Sequence, residues 1–215
     1  MMQVEDWGLI PYQEALQKQY LYRDQILNGE RSHTLVLCSH PPVVTLGKKS
    51  TPQDLIGWQG EVVTVARGGK ATYHGPEQII LYPLLNLEDF QKNLGGHLRC
   101  LEQAVVATLN QYNLRARGNP DYAGVWVQGS TQENLTEKKI ASIGIAVHKW
   151  VTYHGLSFNY QLSEQAFSGI LACGYQYNVM TSLEKCVTLL PSREQVQKSL
   201  VDQYMQLMGK SFLSH

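Results

Sequence analysis

The sequence predicts an α+β fold in which helices flank a mixed, largely antiparallel sheet. Helical patterns stand near both ends of the chain and once between them, and most strand-like runs follow one another without a crossover helix. A doubly wound fold would alternate strands and helices throughout, so it is not expected. The 215 residues, of which 43% are hydrophobic, fit one domain that spans residues 1–215.

The expected elements follow from local patterns along the chain. Apolar residues at helical spacing predict helices over residues 11–28 and 97–112, and a capping box from Ser192 to Gln195 predicts a third that runs to about residue 208. A polar segment, Gly129 to Lys138, is expected to form a loop or a hairpin tip. Runs rich in β-branched and aromatic residues predict strands over 34–38, 43–46, 61–66, 79–85, 124–127, 140–147, 150–153 and 156–160.

Composition narrows the classes of function. Eighteen basic and eighteen acidic side chains cancel, so no general attraction to nucleic acid or to an anionic membrane is expected. No apolar run approaches the length of a membrane span, and the acidic start of the chain lacks a signal-peptide core. These features favour a cytoplasmic protein. Free thiols are therefore expected at all four cysteines: Cys38, Cys100, Cys173 and Cys186.

The stretch from Arg67 to Pro76 contains the densest group of polar and ionisable side chains that could bind a ligand or take part in a reaction. It lies between two strand-like runs and reads Arg-Gly-Gly-Lys-Ala-Thr-Tyr-His-Gly-Pro. Glycines allow the backbone to approach a ligand, and loops on a rigid scaffold are where binding groups concentrate. The spacing matches neither a P-loop nor a dinucleotide fingerprint. The simpler alternative is a tight turn that joins two strands.

Three other features are candidates for chemistry. Lys139 precedes a strongly apolar strand, where partial desolvation could shift its pKa, although a lone lysine is more often a solvated surface group. Histidines at positions 40, 74 and 154 could be imagined as a zinc triad, but no zinc spacing supports it and no metal is expected. Cys173 is followed by a glycine in a region without periodicity, so it is the candidate nucleophile, while a buried small hydrophobe is the alternative.

Taken together, these blocks resemble the lipoyl(octanoyl) transferases of lipoate biosynthesis. The family pattern RGGxxTxHGPGQ is matched from Arg67 to Gln78, and a lysine-led K-I-A-S-x-G strand is matched from Lys139 to Gly144. An HGL segment begins at His154, and the catalytic cysteine with its glycine matches Cys173-Gly174. The resemblance spans about residues 10 to 205, and several motifs in the correct order make it specific.

The resemblance implies a fold, a reaction and a set of site residues. The fold would be that of the biotin/lipoate protein ligase catalytic core. The enzyme would move an octanoyl group from octanoyl-acyl carrier protein, through a thioester on Cys173 assisted by Lys139, to a lysine of a lipoyl domain, without a cofactor. Acceptors would be the lipoyl domains of 2-oxoacid dehydrogenase complexes and the glycine cleavage H protein. The implied substrate-binding residues are Arg67, Gly68, Gly69, Lys70, Ala71, Thr72, Tyr73, His74, Ser142, Ile143, Gly144, Gly155, Leu156 and Ser157.

The chain departs from the family pattern at several positions. Glu77 stands where the family has glycine, so it could bring a carboxylate near the pocket or alter the turn. Ala172 replaces a frequent proline, and Ala146 and His148 occupy positions that are often basic. The competing readings are an ATP-dependent lipoate or biotin protein ligase on the same fold, a non-catalytic module that binds acyl chains or lipoyl domains, and a cysteine hydrolase.

Overall fold

A computed structural model describes residues 2–119, 124–128, 137–171 and 179–212, with the side chains of the last helix described to residue 209. Short 3-10 helices span Pro52–Asp54 and Leu87–Phe90. The α-helices are α1 (Tyr12–Leu27), α2 (Leu94–Asn110), α3 (Leu183–Cys186) and α4 (Arg193–Phe212). The strands are β1 (Gln3–Leu9), β2 (Thr34–Ser39), β3 (Val43–Leu46), β4 (Glu61–Thr64), β5 (Thr72–His74), β6 (Gln78–Leu84), β7 (Ala116–Gly118), β8 (Gly124–Val127), β9 (Lys138–His148) and β10 (Val151–Asn159).

The strands form two sheets within the described ranges. The larger one has the order β1-β2-β6-β10-β9-β8-β7, and the smaller one has the order β4-β3-β5. In the larger sheet β1 runs parallel to β2, and all the other neighbours are antiparallel. In the smaller sheet β3 is parallel to β4 and antiparallel to β5. The predicted mixed, largely antiparallel architecture is confirmed.

Helices cover both faces of the larger sheet, which explains why its central strands β2, β6 and β10 are buried at every position. Along β2, Leu35 and Leu37 pack into the core beneath α2 and α4, whereas Val36 and Cys38 pack into the core beneath α1. Successive side chains of a strand point to opposite faces, so a strand covered on both sides buries its side chains at every position. The sheet thereby becomes a rigid platform whose centre, β9 and β10, carries the site.

The local predictions hold best where a side chain itself determines the structure. The predicted capping box is present: the Ser192 backbone N–H donates to Gln195 Oε1 at 2.9 Å, and the Gln195 N–H donates to Ser192 Oγ at 3.3 Å. The β9–β10 hairpin turns through Lys149 and Trp150, both with positive φ, as a type I′ turn requires. The strands predicted over 150–153 and 156–160 form one continuous strand, β10 (Val151–Asn159).

Some expectations were wrong or fall outside the described residues. The alternative of one tight turn joining two strands does not describe residues 67–76, because that stretch contains a further strand, β5. The strands β1, β5 and β7 were not predicted. Of the polar segment expected as a loop, residues 129–136 lie outside the described residues, and Lys138 already belongs to β9. No helix in the described part of the chain is long and apolar enough to cross a bilayer.

Candidate active site

A cavity of about 550 Å³ lies where β9 and β10 face the 67–70 loop and the start of α2. Its apolar wall is made by Leu94, Leu98, Ile143, Ile145 and Leu156. Every predicted substrate-binding residue except Ala71 and Tyr73 lines it: Arg67, Gly68, Gly69, Lys70, Thr72, His74, Ser142, Ile143, Gly144, Gly155, Leu156 and Ser157. The size is that of an ordinary small-molecule pocket.

The pairing of β9 with β10 brings two sequence motifs to the same place. Ser142 lies opposite Ser157, and Gly144 lies opposite Gly155. A Cβ atom on Gly144 would lie 3.1 Å from Arg67 Cδ and 3.2 Å from the Gly68 carbonyl oxygen. Glycine at this position therefore lets the 67–70 loop close over the sheet, and the loop becomes one wall of the cavity.

Arg67 holds that loop in shape. Its guanidinium donates to the Thr45 carbonyl at 2.8 Å and to Thr45 Oγ1 at 2.7 Å, and to the carbonyls of Gly68 and Lys70 at 3.0 and 2.9 Å. The side chain is buried at the wall of the cavity. The residue predicted to bind substrate thus also joins the loop to β3, and it adds a fixed positive charge that favours neutral histidines nearby.

Three histidines and two tyrosines form a buried polar group at one end of the cavity. His40 Nδ1 donates to the Ile10 carbonyl at 2.8 Å, so its Nε2 accepts a hydrogen bond from the Tyr82 hydroxyl at 2.7 Å. His154 Nδ1 lies 3.4 Å from the Tyr12 hydroxyl. Tyr12 and Tyr82 line the cavity and were not predicted as site residues, because each sits in an apolar pattern typical of a core position.

Burial keeps all three imidazoles uncharged near neutral pH. It lowers the pKa of His40 to about 4 and, with the Arg67 guanidinium adding to the effect, that of His154 to about 3. Burial, reinforced by His40 and Arg67, also holds the pKa of His74 well below its ordinary value. The far end of the cavity is consequently polar but offers no ionised histidine to a substrate.

The three histidines of the imagined zinc triad lie around Tyr12. Ring centroids lie 5.0 Å apart for His40 and Tyr12 and 5.8 Å apart for His74 and Tyr12. Both nitrogens of His40 are engaged by the Ile10 carbonyl and Tyr82, and His74 Nε2 lies 3.3 Å from Thr45 Oγ1. Among the described residues, no group of three or more His, Cys, Asp or Glu side chains is arranged to hold a metal ion.

Lys139 is buried at the other end of the cavity. Only 1% of its surface is exposed, whereas the neighbouring Lys138 is exposed, so the alternative of a solvated surface lysine is wrong for Lys139. Its Nζ lies 5.9 Å from the centroid of the Trp126 ring in β8. The predicted nucleophile Cys173 lies outside the described residues, which reach Leu171 and resume at Val179.

Comparison with known proteins adds the chemistry that the geometry alone leaves open. Residues 11–205 match the family described as the lipoyl protein ligase A/B catalytic domain. An octanoyltransferase of Bdellovibrio bacteriovorus is 40% identical over 198 residues, which cover 84% of this chain and 87% of that protein. An octanoyltransferase of Syntrophotalea carbinolica is 37% identical, covering 96% of this chain and 94% of its own.

The chain belongs to this family. Specifically, it is an enzyme of the octanoyltransferase kind, as the level and extent of these identities show. Solved structures agree in fold. A lipoate-protein ligase A bound with ATP superposes with a TM-score of 0.71 at 16% identity, covering 97% of this chain and 86% of that one. A biotin protein ligase from Aquifex aeolicus gives 0.55 at 13% identity, covering 100% and 72%. The fold predicted from the resemblance is confirmed.

Among the described residues, the positions that depart from the family pattern do not line the cavity. The Tyr73 hydroxyl donates to Glu77 Oε1 at 3.1 Å, and Glu77 does not line the cavity. Tyr73 and Ala71 pack instead into a separate apolar cluster with Phe167. Ala146 belongs to the core beneath α1, and His148 is exposed at the end of β9. Ala172 lies outside the described residues.

Proposed function

We propose that this octanoyltransferase takes an octanoyl group from octanoyl-acyl carrier protein onto Cys173 as a thioester and passes it to a lysine of a lipoyl domain. The observation that carries the proposal is the burial of Lys139, 1% exposed, at the wall of a cavity whose other wall is apolar. Lysine is seldom fully buried, and buried lysines are the ones that serve enzymes as proton-transfer groups. The remaining site residues suit an uncharged acyl chain.

The first half-reaction exchanges one thioester for another, so it needs little free energy. The Cys173 thiolate attacks the acyl carbonyl, a new S–C bond forms, and the carrier thiolate leaves with a proton from the Lys139 ammonium. An isolated cysteine with a pKa near 8.5 is only about 3% ionised at pH 7. A lysine ammonium beside the thiol favours the thiolate, which is why a buried Lys139 suits this step.

The second half-reaction makes an amide and is downhill. The acceptor amine attacks the acyl-cysteine, and the neutral Lys139 amine takes one proton from the attacking nitrogen. The C–S bond to Cys173 then breaks, which restores the thiolate and the ammonium. One lysine thus donates a proton in the first step and accepts one in the second.

The cavity supports an acyl chain as substrate. Leu94, Leu98 and Leu156 offer an apolar wall, and the glycines of β9 and β10 allow a chain to lie against the backbone. The histidines at the far end are uncharged, so they do not demand an ionised substrate. Lys49 and Lys70, which also line the cavity, are suited to an acidic carrier protein.

A lipoyl domain is the proposed acceptor because of the chain's relatives. One structural neighbour, from Thermoplasma acidophilum, is described as a bipartite lipoate protein ligase with its E2 lipoyl domain, and it has a TM-score of 0.66 to this chain. Octanoyl transfer to such a domain would be the first step of protein lipoylation. The proposed acceptors are lipoyl domains of 2-oxoacid dehydrogenase complexes and the glycine cleavage H protein.

Intact mass after incubation with octanoyl-acyl carrier protein tests the proposal. The parent protein should gain one octanoyl group, Cys173→Ser should gain none, and adding a lipoyl domain should discharge the adduct onto the domain. Cys186→Ser is the matched control, because Cys186 is half-buried and burial raises the pKa of its thiol. The variant should load like the parent.

Three results would overturn the proposal. An adduct that survives Cys173→Ser but disappears in Cys186→Ser would place the nucleophile elsewhere. Absence of any adduct, combined with transfer that requires ATP and free octanoate, would make the enzyme an adenylate-forming ligase instead. Release of octanoate to water, with none on the lipoyl domain, would indicate a hydrolase.

A further inference from the structure

On one side of Lys139, the neighbour of β9 is no longer β10. Among the described residues, the last pair that these two strands form before Lys139 is Phe158 with Ala141. Beyond it, Met180 forms a parallel bridge with Lys139, and the Thr181 backbone N–H donates to the Lys139 carbonyl at 2.9 Å. The main chain of Lys139 is therefore held on this side by the segment that contains Met180 and Thr181.

The pairing on the other side of Lys139 is irregular. In β8, Trp126 pairs with Lys139 whereas the preceding residue, Val125, pairs with Ala141, so Ile140 is an extra residue of β9 at this point. Such a bulge interrupts the regular alternation of side chains, and bulges recur beside active sites because they redirect a side chain. The direction of the Lys139 side chain therefore depends also on what holds its main chain on the side away from β8.

The side chain of Asn159 joins the segment around Thr181 to the larger sheet. Asn159, the last residue of β10, is buried, and its Nδ2 donates to the Thr181 carbonyl at 2.9 Å. Its Oδ1 accepts from Nε2 of the buried Gln78 in β6 at 2.8 Å. An amide has one accepting and one donating end, so the contact with Gln78 fixes which end faces Thr181. Thr181 is thus held through its carbonyl by Asn159 and, through its N–H, holds Lys139.

We propose that Asn159 is a positioning residue for Lys139, which acts through the backbone of Thr181. This inference rests on the proposed function, in which Lys139 donates a proton in one half-reaction and accepts one in the other. Asn159 does not line the cavity, so its effect on the reaction is indirect. Without its amide, the buried Thr181 carbonyl loses a donor and the segment that holds Lys139 can shift. A misplacement of about 1 Å can lower a catalysed rate about 100-fold.

The test separates the rate of reaction from the binding of substrate. Asn159→Ala should lower the maximal rates of octanoyl loading and of discharge to a lipoyl domain about 10- to 100-fold. The concentration of octanoyl-acyl carrier protein that gives half-maximal loading should change less than about twofold, because the cavity wall is intact. Asn159→Ser keeps a hydroxyl that can donate to the Thr181 carbonyl, so it should retain more of both rates, and it replaces Asn159→Ala in the test if that variant does not fold.

Ser199→Ala is the matched control for a purely structural effect. The Ser199 hydroxyl of α4 is buried and lies 3.1 Å from both Thr108 Oγ1 and Gln111 Oε1, and Ser199 does not line the cavity. Its replacement also removes a buried hydrogen-bonding group, so the urea midpoint should fall. Both transfer rates should nevertheless stay at the parental values.

The Lys139→Met background tests whether Asn159 acts through Lys139. Replacing Asn159 there should change either rate less than about twofold, because no amine remains to be positioned. A further loss of about tenfold or more in that background would overturn this inference, as would parental rates in a folded Asn159→Ala or an equal loss of rate in Ser199→Ala. In each of these outcomes the parent still forms its octanoyl adduct. No adduct on the parent enzyme would overturn the proposed function as well.

Discussion

The chain contains the tripeptide Tyr-His-Gly twice, at Tyr73–Gly75 and at Tyr153–Gly155, and the two copies reach the same cavity by different routes. His74 lies in β5 of the smaller sheet with an ordinary strand conformation. His154 lies within β10 of the larger sheet with φ at 59°, a left-handed conformation that costs on the order of 1–3 kcal/mol for a side chain of this kind.

The surroundings explain why His154 keeps this conformation. Its backbone N–H donates to Gln19 Oε1 of α1 at 2.8 Å, and its ring lies beside the Tyr12 hydroxyl of the same helix. His74 is held by Thr45, which Arg67 in turn holds. Both copies of the tripeptide therefore bring a neutral imidazole to the cavity, but different tertiary contacts position each of them.

The largest difference between the two copies should appear in the unfolding free energy when Gly75 and Gly155 are each replaced by alanine. A Cβ on Gly155 would overlap the carbonyl oxygen of Leu81 in β6, which is backbone and cannot move aside. A Cβ on Gly75 would meet the Tyr73 hydroxyl and the Glu77 carboxylate, which are the ends of flexible side chains. Gly155→Ala should cost about 3 kcal/mol of unfolding free energy and Gly75→Ala about 1 kcal/mol, by urea denaturation. Equal costs would contradict the comparison.

Protonation of His74 and of His154 should lower the stability of the fold in the same way, although the two residues have different backbone conformations. Their pKa values in the fold lie below the unfolded value of about 6.5, so protonation favours the unfolded chain. Stability from each is fully present above about pH 6.5 and falls by up to about 1.4 kcal/mol per pH unit as the pH drops towards the folded value, about 3 for His154.

His154→Asn and His74→Asn, which remove the titration and keep a polar group, should each flatten this acid slope. The slope is measured as the unfolding free energy at a series of pH values from about 7 down to about 4.5. A variant whose stability falls with acid as steeply as that of the parent would show that its histidine is already protonated in the fold.

The smallest effect should come from the tyrosine of the first copy. The Tyr73 hydroxyl donates to Glu77, the residue that replaces a family glycine, and Glu77 raises the pKa of Tyr73 in addition to the larger effect of burial. Tyr73→Phe should cost about 1 kcal/mol. In the background of Glu77→Gly, the same change should cost less, because the hydroxyl has lost its acceptor. A cost that is unchanged in that background would show that the two side chains do not interact.

Sequence reasoning succeeds here where a residue pattern acts locally or where a motif is long. The capping box at Ser192 and the doubly covered strand β2 follow from local rules, and the motif between Arg67 and Gln78 identifies one wall of the cavity. Sequence reasoning fails where the hydrogen bonding of backbones between strands, rather than the pattern of side chains, determines the structure. The acidic, mostly exposed β1 shows no apolar period, and it is a strand because its backbone pairs with β2.

Site residues that the sequence did not predict were missed because tertiary packing brings them to the cavity. Tyr12 looks like one more apolar residue of an amphipathic helix, and only the packing of α1 on the sheet brings its hydroxyl to His154. Tyr12 does not lie within a motif, so no spacing could indicate it.

The central claim is that Lys139 serves both half-reactions, and its neighbour Lys138 offers a matched control. Lys139→Met fills the buried position with an apolar chain of similar length, whereas Lys138→Met changes an exposed side chain. Rapid-quench measurement of octanoyl loading and of discharge to a lipoyl domain should show both rates lowered about 100-fold or more in Lys139→Met and unchanged in Lys138→Met. Parental rates for both steps in Lys139→Met would contradict the account.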